Sequence, residues 1–184
     1  MIIKLSGPME PRAMGADLSL SRSAIVVLNK RGVMVRCESF APESTGAERL
    51  HEIAAWLTNM AQLERVSTLT IESPFSGGGH MAGVAIKLAE MHGAVKAELH
   101  KQRMTAPYYV APMTLKKYAT GNGHAEKSDI KMAVFKKWGI ELNSNDEADA
   151  YALAQIAANI GGFNIPSHEY ERDCIAKVLE GNER

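Results

Sequence analysis

Short apolar runs and helical stripes alternate along this chain and mark out its elements. AMGADLSLS, Ala13 to Ser21, is a strand pattern that ends in polar residues. SAIVVL and VMVRCESF flank NKRG, so two strands joined by a tight turn at Asn29–Gly32 are predicted. GAERLHEIAAWLTNMAQL changes to helical spacing, with Leu50, Ile53, Ala54, Leu57 and Met60 on one face. VSTLTIES is a short β-branched run and predicts a buried strand. SGGGH predicts a loop, and MAGVAIKLAEMHGAVKAELHKQ a second long helix. APYYVAP predicts a short strand bounded by prolines. KSDIKMAVFKKWG predicts a helix opened by Ser128 as cap and closed by Gly139, and a last helix starts near Asp146. Three strands followed by alternating helices and strands describe a mixed α/β layered domain.

Composition narrows the class. The 184 residues are 46% hydrophobic and 23% charged, the balance of one soluble domain with a real core. The two cysteines, Cys37 and Cys174, fit no metal spacing and read as free thiols in a reducing cytoplasm. MIIKLSGPMEPR has no apolar run of the length a secretory signal or membrane span needs. The net charge is zero, which by itself argues against a nucleic-acid partner. That zero averages unlike regions. Between Ala94 and Ile140 nine basic residues face three acidic ones, leaving an excess of six positive charges that the rest of the chain returns. A charge run of this kind is an ordinary solvated face unless it also carries a shaped loop. This one does.

The remaining chemistry is in the acids. NSNDEADAYALAQ contains the letters DEAD, which mark one group of ATP-driven helicases, but no Gly-Lys dipeptide of a phosphate-cradling loop exists in the chain. Asp17 falls inside a core strand pattern and Glu72 at the end of another, positions where an ionised carboxylate is costly unless compensated. Asp146 and Asp149 lie three apart at a helix start, so they project to one side. Ser144 is the expected cap, with Glu147 closing a capping box back onto it. Alone, the Asp146–Asp149 pair reads as complement to the helix dipole. Four carboxylates from two strand ends and a helix start can instead converge at the edge of a sheet. Such a cluster repels itself unless divalent cations fill it, and Mg²⁺ prefers hard oxygen ligands. Two such ions about 4 Å apart clamp an in-line phosphoryl displacement.

YVAPMTLKKYATGNGHAEKSDIKMAVFKKWG followed by DEADAYALA resembles the C-terminal half of RuvC-type Holliday junction resolvases. The loop of that family matches from Thr120 through Gly121, Gly123 and Ala125 to Lys127, and its last helix from Asp146 to Ala154. Its opening strand places an aspartate on Asp17, although Leu18-Ser19 stand where the family has proline and glycine. IESPF matches its E-x-x-F at Glu72 and Phe75.

The resemblance implies a ribonuclease H-like α/β fold, a mixed sheet flanked by helices, spanning residues 13–162 between an extension (1–12) and a tail (163–184). It implies a magnesium-dependent endodeoxyribonuclease that resolves four-way junctions by paired nicks. Asp17, Glu72, Asp146 and Asp149 would hold two Mg²⁺, with Mn²⁺ as the alternative ion, and Lys127 would act beside them. Lys116, Lys117, Lys127, Gly121 and Gly123 would contact DNA, and Phe75 would stack on an unpaired base, where its other reading is a core residue. The expected partners are branched DNA and a second copy of the chain, with Met81, Leu88 and Met91 on the second long helix facing that copy. The sequence does not decide whether branch-migration proteins are partners, and the expected location is the cytoplasm, at the nucleoid or in a host cell. The rivals are a ribosomal-RNA-processing nuclease of the same fold, a non-catalytic junction-binding module, and an ATP-binding kinase of related fold, which needs two large domains.

Overall fold

The computed structural model describes residues 10–74 and 82–182. Among them five strands form one sheet in the order β3-β2-β1-β4-β5. β1 (Arg12–Asp17) runs antiparallel to β2 (Ser23–Leu28), which pairs antiparallel with β3 (Met34–Phe40). The predicted hairpin turn is present: the Asn29 side chain accepts the N–H groups of Arg31 and Val33, and Gly32 takes φ +74°. After α1 (Gly46–Leu63) the chain enters β4 (Val66–Glu72), parallel to β1. After α2 (Ala82–Lys101) it enters β5 (Tyr108–Val110), parallel to β4. Then follow α3 (Pro112–Thr120), α4 (Lys127–Trp138), α5 (Asn145–Ile160) and α6 (Glu169–Asn182).

The side chains of a strand alternate between its faces, and here the alternation builds two cores. Met14 and Ala16 of β1, Ile25 and Val27 of β2, and Leu69 and Ile71 of β4 pack against α1 and α2. Ala13, Ala24, Val26 and Leu28 face the other layer, formed by α5 with α3, α4 and α6. α5 is buried along nearly its whole length and lies across β1, β2 and β4.

Three expectations need correction. Ser128 does not cap α4: the helix starts at Lys127 with Glu126 at the cap, and Asp129 accepts the Glu126 N–H at 2.9 Å. Met91 is wholly buried among Leu57, Val95 and Leu99, so it cannot meet a second copy. Glu147 does not close onto Ser144. Ser144 Oγ accepts the Glu147 N–H at 3.1 Å, but the Glu147 carboxylate takes the N–H of Asn143 at 2.8 Å. Two helices, α3 and α6, lie where no helix was expected. Phe75, Met81 and the SGGG loop fall outside the described residues. No helix among the described residues is long and apolar enough to cross a membrane.

Candidate active site

The alternation of β1 and β4 aims the acids. Gly15 of β1 lies against α5, where a Cβ would fall 2.2 Å from the Ala150 carbonyl oxygen and 2.1 Å from the Ala154 nitrogen. Asp17, two residues on, therefore faces the same layer. On β4, Thr70 faces α5 and donates its hydroxyl to the Leu153 carbonyl at 2.8 Å. Glu72, two residues on, follows it. β1 and β4 are parallel with Ala16 opposite Ile71, so Asp17 and Glu72 leave neighbouring strands at the same end.

α5 runs antiparallel to both strands: Thr68 approaches Gly161, Thr70 meets Leu153, and Gly15 meets Ala150 through Ala154. Two strand residues advance about 6.6 Å and four helix residues about 6 Å. Moving from Gly15 to Asp17 thus moves the facing point on α5 back one turn, to Asp146 and Asp149. The acids converge at the C-terminal ends of β1 and β4, in the middle of the sheet's width, where open α/β sheets place their ligands.

The electrostatics follow from this placement. Burial pushes the Asp17 carboxyl up to about 6, with Asp146 adding repulsion. Burial, then the Asp17 charge, pushes Glu72 up to about 7. Asp149, 2% exposed, is pushed up to about 8 by burial and then by Asp17 and Glu72. One cation answers all of them. Burial works against the Lys127 ammonium, but Asp17, Asp149, Glu72 and Asp146 together raise its pKa. Its Nζ lies 3.9 Å from Asp149 Oδ2. The other oxygen, Asp149 Oδ1, is buried with no hydrogen-bond partner. Among the described residues no group of three or more His, Cys, Asp or Glu side chains stands close enough together to hold a metal ion as the side chains are placed. The donor types nevertheless suit Mg²⁺: neighbouring carboxylates, one orphaned oxygen, and repulsion that Lys127, with Lys116 at Glu72, offsets incompletely.

The other expected residues divide. The Lys116 charge lowers the pKa of Glu72, the one acid of the four that it reaches. Lys117 turns toward α6 and pairs with Asp173 at 3.6 Å. Gly121 ends α3 with φ +81°, and Gly123 sits where a Cβ would be 3.2 Å from the Met113 carbonyl oxygen. Gly15 and Thr70, which set the depth of α5, were missed. An isolated glycine inside a strand pattern is the signal that could have found the first.

A stability prediction follows. These carboxyls titrate above their unfolded values of 3.8 and 4.5. The native state therefore holds protons that the unfolded chain gives up, and stability is lost as pH rises from about 4 through about 8. The melting temperature of metal-free protein should fall between pH 5 and pH 8, and millimolar Mg²⁺ should restore it at pH 8. A flat profile without metal would mean that the acids sit in water.

A five-stranded mixed sheet with this strand order, layered with helices on both faces, is a ribonuclease H-like fold. The family model of crossover junction endodeoxyribonuclease RuvC matches residues 14–157. The chain belongs to that family. The crossover junction endodeoxyribonuclease RuvC of Rhodopseudomonas palustris is 30% identical over 157 residues, covering 78% of this chain and 84% of that protein. The enzyme of the same name from Prochlorococcus marinus is 25% identical over 150 residues, covering 78% and 95%. The structure of T. thermophilus RuvC in complex with Holliday junction substrate superposes with a TM-score of 0.66 at 22% identity, covering 79% of this chain and 91% of that one, a likeness of fold.

Proposed function

We propose that this protein resolves four-way DNA junctions by paired hydrolytic nicks, with Asp17, Glu72, Asp146 and Asp149 holding two divalent cations. The observation that carries the reading is the convergence of these acids around Lys127, with Asp149 Oδ1 left buried and unpartnered. Bound Mg²⁺ supplies a polarised water and stabilises the leaving oxygen. The rest is the work of the chain. β1, β4 and α5 hold the carboxylates against one another before any ligand arrives, so little reorganisation is needed. Lys127, 63% exposed at its side chain, presents an ammonium between the acids and solvent, where a scissile phosphate approaches. Lys116 adds a second positive charge within reach of Glu72.

The direct test is cleavage of a synthetic four-way junction with and without Mg²⁺. Paired nicks only with the metal support the reading; preferential cutting of RNA would favour the ribosomal-RNA-processing type. Lys127→Ala should lower the cleavage rate about a hundredfold, as loss of a preorganised group facing developing charge does. Lys131→Ala should cost roughly twofold, since Lys131 only donates to the Asn143 carbonyl at 3.2 Å. Equal losses would mean a diffuse electrostatic face. Junction affinity should fall with added salt, because phosphate contacts release counterions.

Two nicks of like polarity require two sites, and a two-fold dimer supplies them. Val84 of α2 stands 50% exposed one turn before the half-buried Leu88, and this pair on one helix face is the proposed contact. A reducing, DNA-containing compartment suits the free thiols of Cys37 and Cys174.

A further inference from the structure

The loop that delivers Lys127 runs from the end of α3 to the start of α4. Its internal bonds give it a shape. Thr120 Oγ1 accepts the Asn122 N–H at 3.0 Å and donates to the Lys116 carbonyl at 2.8 Å. Asn122 Oδ1 accepts the His124 N–H at 3.0 Å, and Ala125 donates to the Asn122 carbonyl at 3.2 Å. These bonds shape the loop without fixing its pose over the acids. One outside contact reaches it from α6. The Tyr170 ring lies against Gly121, two of its carbons 3.8 Å from where a Cβ would stand. His168 stacks on that ring, with centroids 5.1 Å apart and planes 23° from parallel.

The base of the ring is locked as well. Lys137 of α4 pairs with Glu171, the residue after Tyr170, which is 2% exposed. Its Nζ stands 4.4, 5.2 and 5.6 Å from the ring centres of Trp138, Tyr118 and Tyr170, within cation–π range. It also donates to the Tyr118 carbonyl at the end of α3, at 3.4 Å. Glu171 in turn accepts the N–H groups of Ser167 and His168 at 2.6 and 3.1 Å. At its other end α6 is pinned by Asn182, whose amide pairs with both main-chain groups of Tyr109 on edge strand β5, at 2.9 and 3.2 Å. α6 lies beyond the segment that matches the family model.

We propose that Tyr170 is a positioning residue: α6 holds its ring against Gly121 and so sets the loop that carries Lys127 over the carboxylates. The inference rests on the proposed nuclease reading for its activity arm and on geometry for its structural arm. Tyr170→Ala leaves the Lys137–Glu171 and Asn182–Tyr109 attachments in place, so α6 stays docked while the loop loosens.

The test compares wild type, Y170A and Y170F in two assays. In single-turnover cleavage of a four-way junction with Mg²⁺, Y170A should lose on the order of tenfold in rate, with junction affinity unchanged, and Y170F should match wild type. In amide hydrogen exchange, residues 121–126 of Y170A should exchange faster while α6 keeps its protection. Wild-type exchange in the Y170A loop overturns the proposal, as does equal loss in Y170A and Y170F. Faster exchange throughout α6 also overturns it, since the role is then only to dock the helix. Should Y170A fail to fold, Tyr170→Leu is read by the same criteria. If wild-type protein cuts no junction, the nuclease reading fails and the exchange comparison alone decides the role of Tyr170.

Discussion

Asp149→Asn is expected to abolish junction cleavage while leaving junction binding intact. The amide keeps the shape of the carboxylate and loses the charge that would hold Mg²⁺. Metal stabilisation of a phosphoryl transition state supplies several kcal/mol, and each 1.36 kcal/mol is tenfold in rate, so the loss should reach about a thousandfold or more. A second effect has the opposite sign. Asp149 is the most strongly disfavoured charge in the cluster, buried and repelled by Asp17 and Glu72. Removing it should raise the melting temperature of metal-free protein at pH 8, because native proteins hold such strain where function needs it. Single-turnover cleavage and thermal melts in a chelator measure the two effects separately. A variant that still cuts within tenfold of wild type removes Asp149 from the site. A variant that is inactive and less stable at pH 8 assigns Asp149 a structural role.

The parts of the fold that were legible in the sequence are those whose packing has a period. β2 and β3 around the Asn29–Gly32 turn, α1 with Ile53, Ala54 and Leu57 inward, and β4 all lie where alternation or helical spacing placed them. α3 and α6 were not legible because polar partners distant in sequence hold them. α6 buries Cys174 and Val178 but also Glu171, whose partner Lys137 is on another helix. A glutamate buried against a lysine 34 positions away leaves no local trace. α3 did carry a terminal signature, Pro112 in its first turn and Gly121 just past its end, in a helix of only nine residues with two lysines. The acids were legible for the opposite reason. Asp17 and Glu72 break the apolar pattern of strands that are otherwise core, and such breaks concentrate at functional sites. What sequence could not supply was depth: how near α5 lies to β1 depends on backbone atoms at Gly15, Ala150 and Ala154.

That depth can be tested at Gly15. Glycine weakens a strand interior, and its position in β1 is explained by the approach of α5. A Cβ there would stand 2.1 Å from the Ala154 nitrogen, 2.2 Å from the Ala150 oxygen and 2.6 Å from the Leu153 carbonyl carbon. All three are main-chain atoms of a buried helix, so no side chain can rotate away. Ordinary contact begins at 3.4 Å, so α5 must retreat by more than an ångström or β1 must bow. Overpacking of this kind costs about 3 kcal/mol, which in a domain of this size lowers the melting temperature by about 6–12 °C. Retreat of α5 also carries Asp146 and Asp149 away from Asp17 and Glu72. Misplacement by an ångström can cost about a hundredfold in rate, so Gly15→Ala protein that remains folded should still cut poorly. Thr70→Val is the control: it removes the hydrogen bond to the Leu153 carbonyl without adding bulk beneath the helix. It should lose about 1 kcal/mol and little activity. Wild-type melting and cleavage in Gly15→Ala would mean that α5 is not seated on β1 at this depth, and the convergence of the four acids would lose its structural basis.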